Sequence, residues 1–313
     1  MKKIFLLFLC LTSLVLSSTI TGDYHFKQVA SNVYVLFGPI DEPNEHNKAL
    51  SNNPAIVVDK SGVIIIDPSG SQIAGEYVLN EIKKISDKPV VAVFNTHIHG
   101  DHWLGNQAVV KHYPDVKIYA HPTMIKDIPQ AGSMWVDIMM KLTKGEVEGL
   151  KVVGPNSKVG HEQIIKVGEQ SFKMHNPTTK SHTNTDVMIE HMNTKTFFTA
   201  DIVFYNRFGM FDGESSIFGN IEAIEYAKNL GMKLYISGHG EPKDLTKGYS
   251  AYLDYLTLLH DKVKLAYDDG VDSFEIKDKI IADFKPYYSW VGFDAYFGKH
   301  IDKMYREIEA KDF

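Results

Sequence analysis

Six residues, His97-Ile98-His99-Gly100-Asp101-His102, follow directly on the apolar run Val90-Val91-Ala92-Val93-Phe94. Nothing else in the chain constrains it as much. Side chains at i and i+2 of an extended segment point to the same side, so His97 and His99 would aim at one point. A helix would put the same pair on different faces, which rules out a helical ligand pair. Gly100 lets the chain bend, and Asp101 and His102 can then face a second point beside the first. Imidazole nitrogen with carboxylate oxygen is the ligand set of zinc, and less often of iron or manganese. A histidine-rich surface loop is the plain alternative.

The residues downstream weigh against that alternative. His182 lies in Lys180-Ser181-His182-Thr183-Asn184-Thr185-Asp186. Asp201 closes Phe197-Phe198-Thr199-Ala200-Asp201, which reads as a buried strand ending in a carboxylate. His239 ends a second such strand, Leu234-Tyr235-Ile236-Ser237-Gly238-His239. Strands that each deliver one polar residue at their end are how a rigid sheet presents a site at one rim. One of these residues alone would be a cap or a turn; several in this order make a metal site.

With these residues in place the chain resembles the metallo-β-lactamase fold superfamily of metallohydrolases, from about Phe26 to the C-terminus. Within it the chain is most similar to the periplasmic SoxH-like or quinoprotein-relay-associated zinc metallohydrolases. The segment Asn52-Asn53-Pro54-Ala55-Ile56-Val57-Val58, Phe211-Asp212-Gly213 with the helix after it, and the tail Tyr305-Arg306-Glu307-Ile308-Glu309 carry that closer likeness. The resemblance implies an αββα four-layer sandwich with metals at one edge. It implies His97, His99 and His182 on a first ion, Asp101, His102 and His239 on a second, and Asp201 bridging them. The ions would be two Zn2+, with Fe or Mn as alternatives. Asp67, at the end of the apolar run Val63-Ile64-Ile65-Ile66, resembles a carboxylate that relatives place behind the ligands to orient their imidazoles. Ser181 stands before His182, where glycine is common in relatives.

The N-terminus reads as a secretory signal peptide over residues 1–18: Met1-Lys2-Lys3, an apolar run from Ile4 to Leu16, then Ser17-Ser18. The run is shorter than the roughly 20 residues a membrane span needs. Cleavage would leave a secreted or periplasmic domain over 19–313 with no stable membrane span. Cys10, the single cysteine, lies inside that leader. The mature chain would therefore have no disulfide, thiolate ligand or thiol nucleophile, and every metal ligand would be nitrogen or oxygen. The chain holds 33 Lys and Arg against 39 Asp and Glu, a formal charge of −6, and no basic stripe stands out. Nucleic acid is disfavoured as a partner, and a small molecule is the expected substrate.

The rest of the pattern is mixed α/β without linkers or repeats. Strands are expected at 32–37, 55–58, 63–67, 90–95, 116–120, 164–167, 171–175, 186–191, 196–199 and 233–237, and helices at 72–85, 103–113 and 221–230. Two regions read as additions. Residues from about 128 to 155 carry Trp135, Met134, Met139 and Met140, and are either a flap whose Trp135 meets substrate or a helix packed on the core. A helical extension starts at about 246 and holds Tyr287, Tyr288, Trp290, Phe293, Tyr296 and Phe297, as a substrate mouth, a dimer contact or core.

Asn184 and Asp186 could support His182 or cap a turn, and Tyr205, Asn206 and Arg207 could touch substrate. The remaining histidines, among them His121, His175, His191 and His300, have no ligand-like context. Zinc lowers the pKa of bound water from 15.7 to about 7, so hydroxide is available at neutral pH for attack on a carbonyl or phosphoryl centre. Asp101 would orient that nucleophile. The expected activity is hydrolysis of a small ester, thioester, lactone or amide. A β-lactamase, a mononuclear iron persulfide dioxygenase and a non-catalytic periplasmic accessory protein are the alternatives.

Overall fold

The computed structural model describes residues 19–312, so the leader expected over 1–18 lies outside the described residues. Strands β1 (Phe26–Ala30), β2 (Val33–Leu36), β3 (Ala55–Val58) and β4 (Val63–Ile66) pair antiparallel in sequence. Helix α1 (Gln72–Lys83) carries the chain to β5 (Val90–Phe94), which runs parallel to β4. Two short helices, α2 (Gly100–Trp103) and α3 (Asn106–His112), precede β6 (Lys117–Ala120). A long helix, α4 (Pro122–Leu142), precedes β7 (Ser157–Lys158), and both strands extend the parallel part of the sheet.

The second sheet begins with β8 (Ile164–Val167), β9 (Gln170–His175), β10 (Met188–His191) and β11 (Thr196–Phe204), paired antiparallel. Helix α5 (Ile217–Asn229) then crosses to β12 (Leu234–His239), parallel to β11. Helices α6 (Ser250–Asp268), α7 (Ser273–Ile280) and α8 (Phe293–Asp312) form the tail. Among the described residues the two sheets have seven and five strands.

Burial shows how the layers stack. All four residues of β4 are buried. Val63 and Ile65 join Val78 and Leu79 of α1 in an outer cluster, whereas Ile64 and Ile66 join Phe172, Phe198 and Ile236 of the second sheet in the inner one. A strand covered on both faces must be apolar throughout, which is why this segment reads as an unbroken run. Phe197 and Tyr235 pack outward on Ile224, Leu256 and Leu259 of the second helical layer. The fold is the expected αββα sandwich. Among the described residues, no helix is long and apolar enough to cross a membrane.

Three elements differ from expectation. The helix expected at 103–113 is broken at Leu104–Gly105, because the Gly105 N–H donates to Ser69 O at 2.7 Å. Strand β11 does not stop at Thr199 but passes through Asp201 to Phe204, with register shifts on either side of Ala200. The segment 128–155 is not one insertion. Its first half completes α4, whose Met124, Ile128, Trp135 and Met139 pack on Trp103 and Leu104, and no regular element covers 143–156. The helix reading of that segment thus holds for its first half, and the helix starts earlier, at Pro122, with Pro129 inside it at the cost of a helical hydrogen bond.

Candidate metal centre

Parallel neighbours end at the same rim, and the polar residues cluster there. Asp67 follows β4, the His97–His102 segment follows β5, and His239 closes β12. His182 comes from the turn between β9 and β10. Asp201 reaches the rim because β11 is irregular: Ala200 adopts a left-handed φ of 49°, a strained state for a residue with a Cβ. Gly238 on the neighbouring strand makes room, since a Cβ there would lie 2.0 Å from Asp201 Oδ1.

Two groups of donors result. His97, His99, His182 and Asp201 offer atoms all within 4.8 Å of one another, and Asp101, His102 and His239 do the same. In the first group His99 Nδ1 and His182 Nε2 are 2.9 Å apart, and Asp201 Oδ2 is 3.4 Å from the latter. In the second group His102 Nε2 and His239 Nε2 are 3.2 Å apart, and Asp101 Oδ2 is 3.5 Å from His239 Nε2. Asp201 touches both groups, with Oδ1 3.1 Å from His102 Nε2. Ligand atoms around a tetrahedral zinc with bonds of 2.0–2.1 Å stand roughly 3.3 Å apart. The spacings suit such an ion.

The supporting hydrogen bonds fix which ring atoms face inward. His102 Nδ1 donates to Asp67 Oδ2 at 2.8 Å, and His239 Nδ1 donates to Ser51 O at 2.6 Å. Both Nε2 lone pairs therefore face each other, an arrangement that needs a proton or a cation between them. Thr96 Oγ1 donates to Asp67 Oδ2 at 2.6 Å and accepts from His97 Nδ1 at 3.0 Å. That leaves His97 Nε2 buried and without a partner, as is Asp201 Oδ1. Asp67 thus orients one histidine of each group, directly for His102 and through Thr96 for His97. It does so from a left-handed φ of 53°, held by the Thr96 N–H on Oδ1 at 2.9 Å.

The charges agree with a cationic occupant. Burial pushes His97 and His182 well below the usual imidazole range, so both are neutral. Burial also disfavours a charged His102, but Asp201, Asp101 and Asp67 outweigh it and hold that ring well above its ordinary value. Burial likewise opposes ionisation of Asp201, yet His102, His239 and His97 keep its carboxyl well below the usual range. Without a metal the carboxylates hold a proton on His102. A metal ion would displace it, as expected for ligands that must be deprotonated.

A cleft of about 290 Å3 opens over both groups. Trp135 from α4 stands at its wall with its ring 4.8 Å from that of His99, and Ile138, Met139 and Leu142 continue the wall. Trp135 is therefore packed in the core of α4, as one reading has it, and one side of it lines the cleft. Of the aromatic tail residues only Tyr296 lines the cleft, where its hydroxyl donates to Glu42 at 2.5 Å. Trp290, Phe293 and Phe297 are buried core, and Tyr288 is exposed.

Asp186 does support the His182 turn, accepting from Ser181 Oγ, Thr183 N and Thr183 Oγ1 at 2.7 Å each. His175, His191 and His300 are buried and hydrogen-bonded away from the centre, and His121 caps α4. Sequence reasoning missed Ser51, whose Oγ donates to Asp101 Oδ2 at 3.1 Å, and Phe204, which stacks on His239 at 5.3 Å. It also missed Thr96, although its place next to His97 was a usable signal.

A family profile described as the Metallo-beta-lactamase superfamily matches residues 48–239, more than half of the chain and all seven donor residues. The chain belongs to that superfamily. Over 77 residues this metallo-beta-lactamase superfamily chain is 39% identical to a linear primary-alkylsulfatase of a Pseudomonas species, covering 23% of this chain and 15% of the relative. Over 75 residues it is 35% identical to a hydroxyacylglutathione hydrolase of Francisella tularensis subsp. novicida, covering 24% and 28%. The matches thus span under a third of these relatives' length. A solved metallo-beta-lactamase from Pontibacter korlensis superposes with a TM-score of 0.59 at 18% identity, covering 75% of this chain and 99% of that one. The sec-alkylsulfatase Pisa1 from a Pseudomonas species gives 0.69 at 15% identity, covering 91% and 50%. At such identities these two structures share the fold alone.

Proposed function

We propose that this superfamily member is a metal-dependent hydrolase of a small ester, thioester, lactone or amide, working outside the cytoplasm. The observation that carries the reading is the pair of facing Nε2 lone pairs, with the partnerless His97 Nε2, directly beneath an open cleft. Polar groups buried in this way need a compensating charge. When bound there, two zinc ions would supply a Lewis acid and water activated near neutral pH.

The chain's own residues do the rest. Neutral His97, His99 and His182 would hold an ion through imidazole nitrogens, with Asp201 the one carboxylate of that group, and an ion so held would keep enough positive charge to polarise a substrate oxygen. Asp101 faces the cleft with its carboxylate held by Ser51 Oγ. Burial opposes its ionisation, but His102 and His239 outweigh it and keep it a carboxylate, able to orient water and accept a proton. Trp135 and its helical neighbours exclude bulk water from the His99 side. Zinc as the metal, kinship with the periplasmic SoxH-like or quinoprotein-relay-associated enzymes, and export belong to the same proposal. The N-terminal leader pattern and a thiol-free donor set that tolerates oxidising surroundings support it.

The test is turnover by the zinc-loaded protein on a carboxylic ester, a thioester, a lactone and a β-lactam. Turnover of at least one, abolished by a chelator and restored by zinc, is the expected result. Failure on the whole panel contradicts the proposal.

A further inference from the structure

Away from the donor groups the cleft is largely apolar, and Glu42 and Tyr296 break that pattern. Glu42 comes from the loop between β2 and β3, and Tyr296 from α8. Both lie outside residues 48–239, the stretch that matches the family profile. The Tyr296 hydroxyl donates to Glu42 Oε1 at 2.5 Å. Burial, and then the Glu42 carboxylate, push the pKa of that hydroxyl up to about 12, so it keeps its proton and stays a donor. The backbone of Glu42 is held as well. Asn44 Nδ2 and Asn47 Nδ2 both donate to Glu42 O at 2.9 Å. Arg207 Nη1 donates to Asp41 O at 3.3 Å while standing 3.0 Å from His239 Nδ1, which ties this loop to the second donor group.

Two other charged residues of the loop are paired: Glu45 with Lys144 at 2.5 Å, and Lys48 with Glu146 at 2.6 Å. Glu42 is not. Among the described residues it makes no ion pair, and Tyr296 is its one side-chain partner. Lys299 lies over the Tyr296 ring, 5.0 Å from its centroid, and does not pair with Glu42 either. An ionised carboxylate only accepts, and with Oε1 taken by Tyr296 the second oxygen, Oε2, has no partner among the described residues. A fixed acceptor in a mostly apolar cleft selects for an O–H or N–H placed opposite it. We propose that Glu42 is the subsite for a proton-donating group of the substrate, a hydroxyl, amide N–H or ammonium, with Tyr296 as the residue that positions the carboxylate. This rests on the hydrolase reading for the word "substrate", but the recognition itself can be measured without turnover.

Hydroxamates bind zinc and so anchor a probe at the metals. Butano-, hexano- and octanohydroxamate carry a methyl end to increasing reach, and each has an ω-hydroxy and an ω-ammonio counterpart. Calorimetry on the zinc-loaded protein should find a length at which a donor end binds roughly 10-fold more tightly than the methyl end, the scale of one hydrogen bond to a charged group. Which donor end gains more tells a neutral group from a cation. In Glu42→Gln the amide oxygen can accept from Tyr296 and the NH2 then faces the cleft, so the donor preference should vanish while methyl-ended binding stays. A preference that survives this substitution overturns the proposal. So does a parent protein with no donor preference at any length, or with no binding of the series. Should Glu42→Gln lose metal, Tyr296→Phe decides, since it keeps the carboxylate and frees it to move. Weaker donor-ended binding with unchanged methyl-ended binding supports the assignment, and unchanged donor-ended binding contradicts it. A preference that passes these tests in a protein without turnover would sink the hydrolase reading and not this one.

Discussion

Replacing Asp101 with asparagine is expected to lower kcat by about 100- to 10,000-fold, the range of a lost acid–base group. Asparagine keeps the shape of the side chain and can still accept the Ser51 hydroxyl, which lies 3.1 Å from Asp101 Oδ2. What it removes is the negative charge that His102 and His239 stabilise in a buried setting. The melting temperature should move little, because the side chain anchors only that one hydrogen bond outside the donor group. Metal content measured on the same sample separates lost chemistry from a lost ligand. Near-normal turnover would show that Asp101 has no part in handling the water or its proton.

Gly238→Ala is expected to strip the centre of metal although residue 238 donates nothing to it. The added Cβ would sit 2.0 Å from Asp201 Oδ1 and 2.7 Å from the Ala200 carbonyl carbon. Neither neighbour has slack: Ala200 already occupies a left-handed conformation, and Asp201 lies in a register shift between β11 and β12. The carboxylate must move, and both donor groups lose their shared member. Overpacking of this kind costs about 1–3 kcal/mol, so the melting temperature should fall as well. A variant that keeps its full metal content would show that Asp201 does not depend on the close approach of Gly238.

What was legible in the sequence is what chemistry makes rare. Histidines at i and i+2 after an apolar strand have few other uses, and an apolar run closed by a single polar residue, as at Asp201 and His239, marks where neighbouring strands reach one rim. The unbroken apolar β4 likewise announced a strand covered on both faces. Other features are set by contacts far away in the chain. Ser51 meets Asp101 and His239 from 50 and 188 residues away, and nothing near Ser51 signals it. The kink that brings Asp201 to the rim arises from pairing with β12, so local pattern placed the strand end at 199–201 rather than at Phe204. Pro129 obscured where the helix that carries Trp135 begins, at Pro122 rather than about 128. Arg207 could be noticed as a neighbour of Asp201, but only the packed structure shows it buried beside His239, with its Nη1 3.0 Å from His239 Nδ1.

Elemental analysis of the purified, tag-free protein, with metal counted per chain, tests the central claim most directly. Two donor groups sharing Asp201 call for about two zinc ions per chain, released together by a chelator. A single iron per chain would contradict the dinuclear hydrolase account and move the chemistry to oxygen. A protein that takes up no metal from zinc-supplemented buffer would remove its basis altogether.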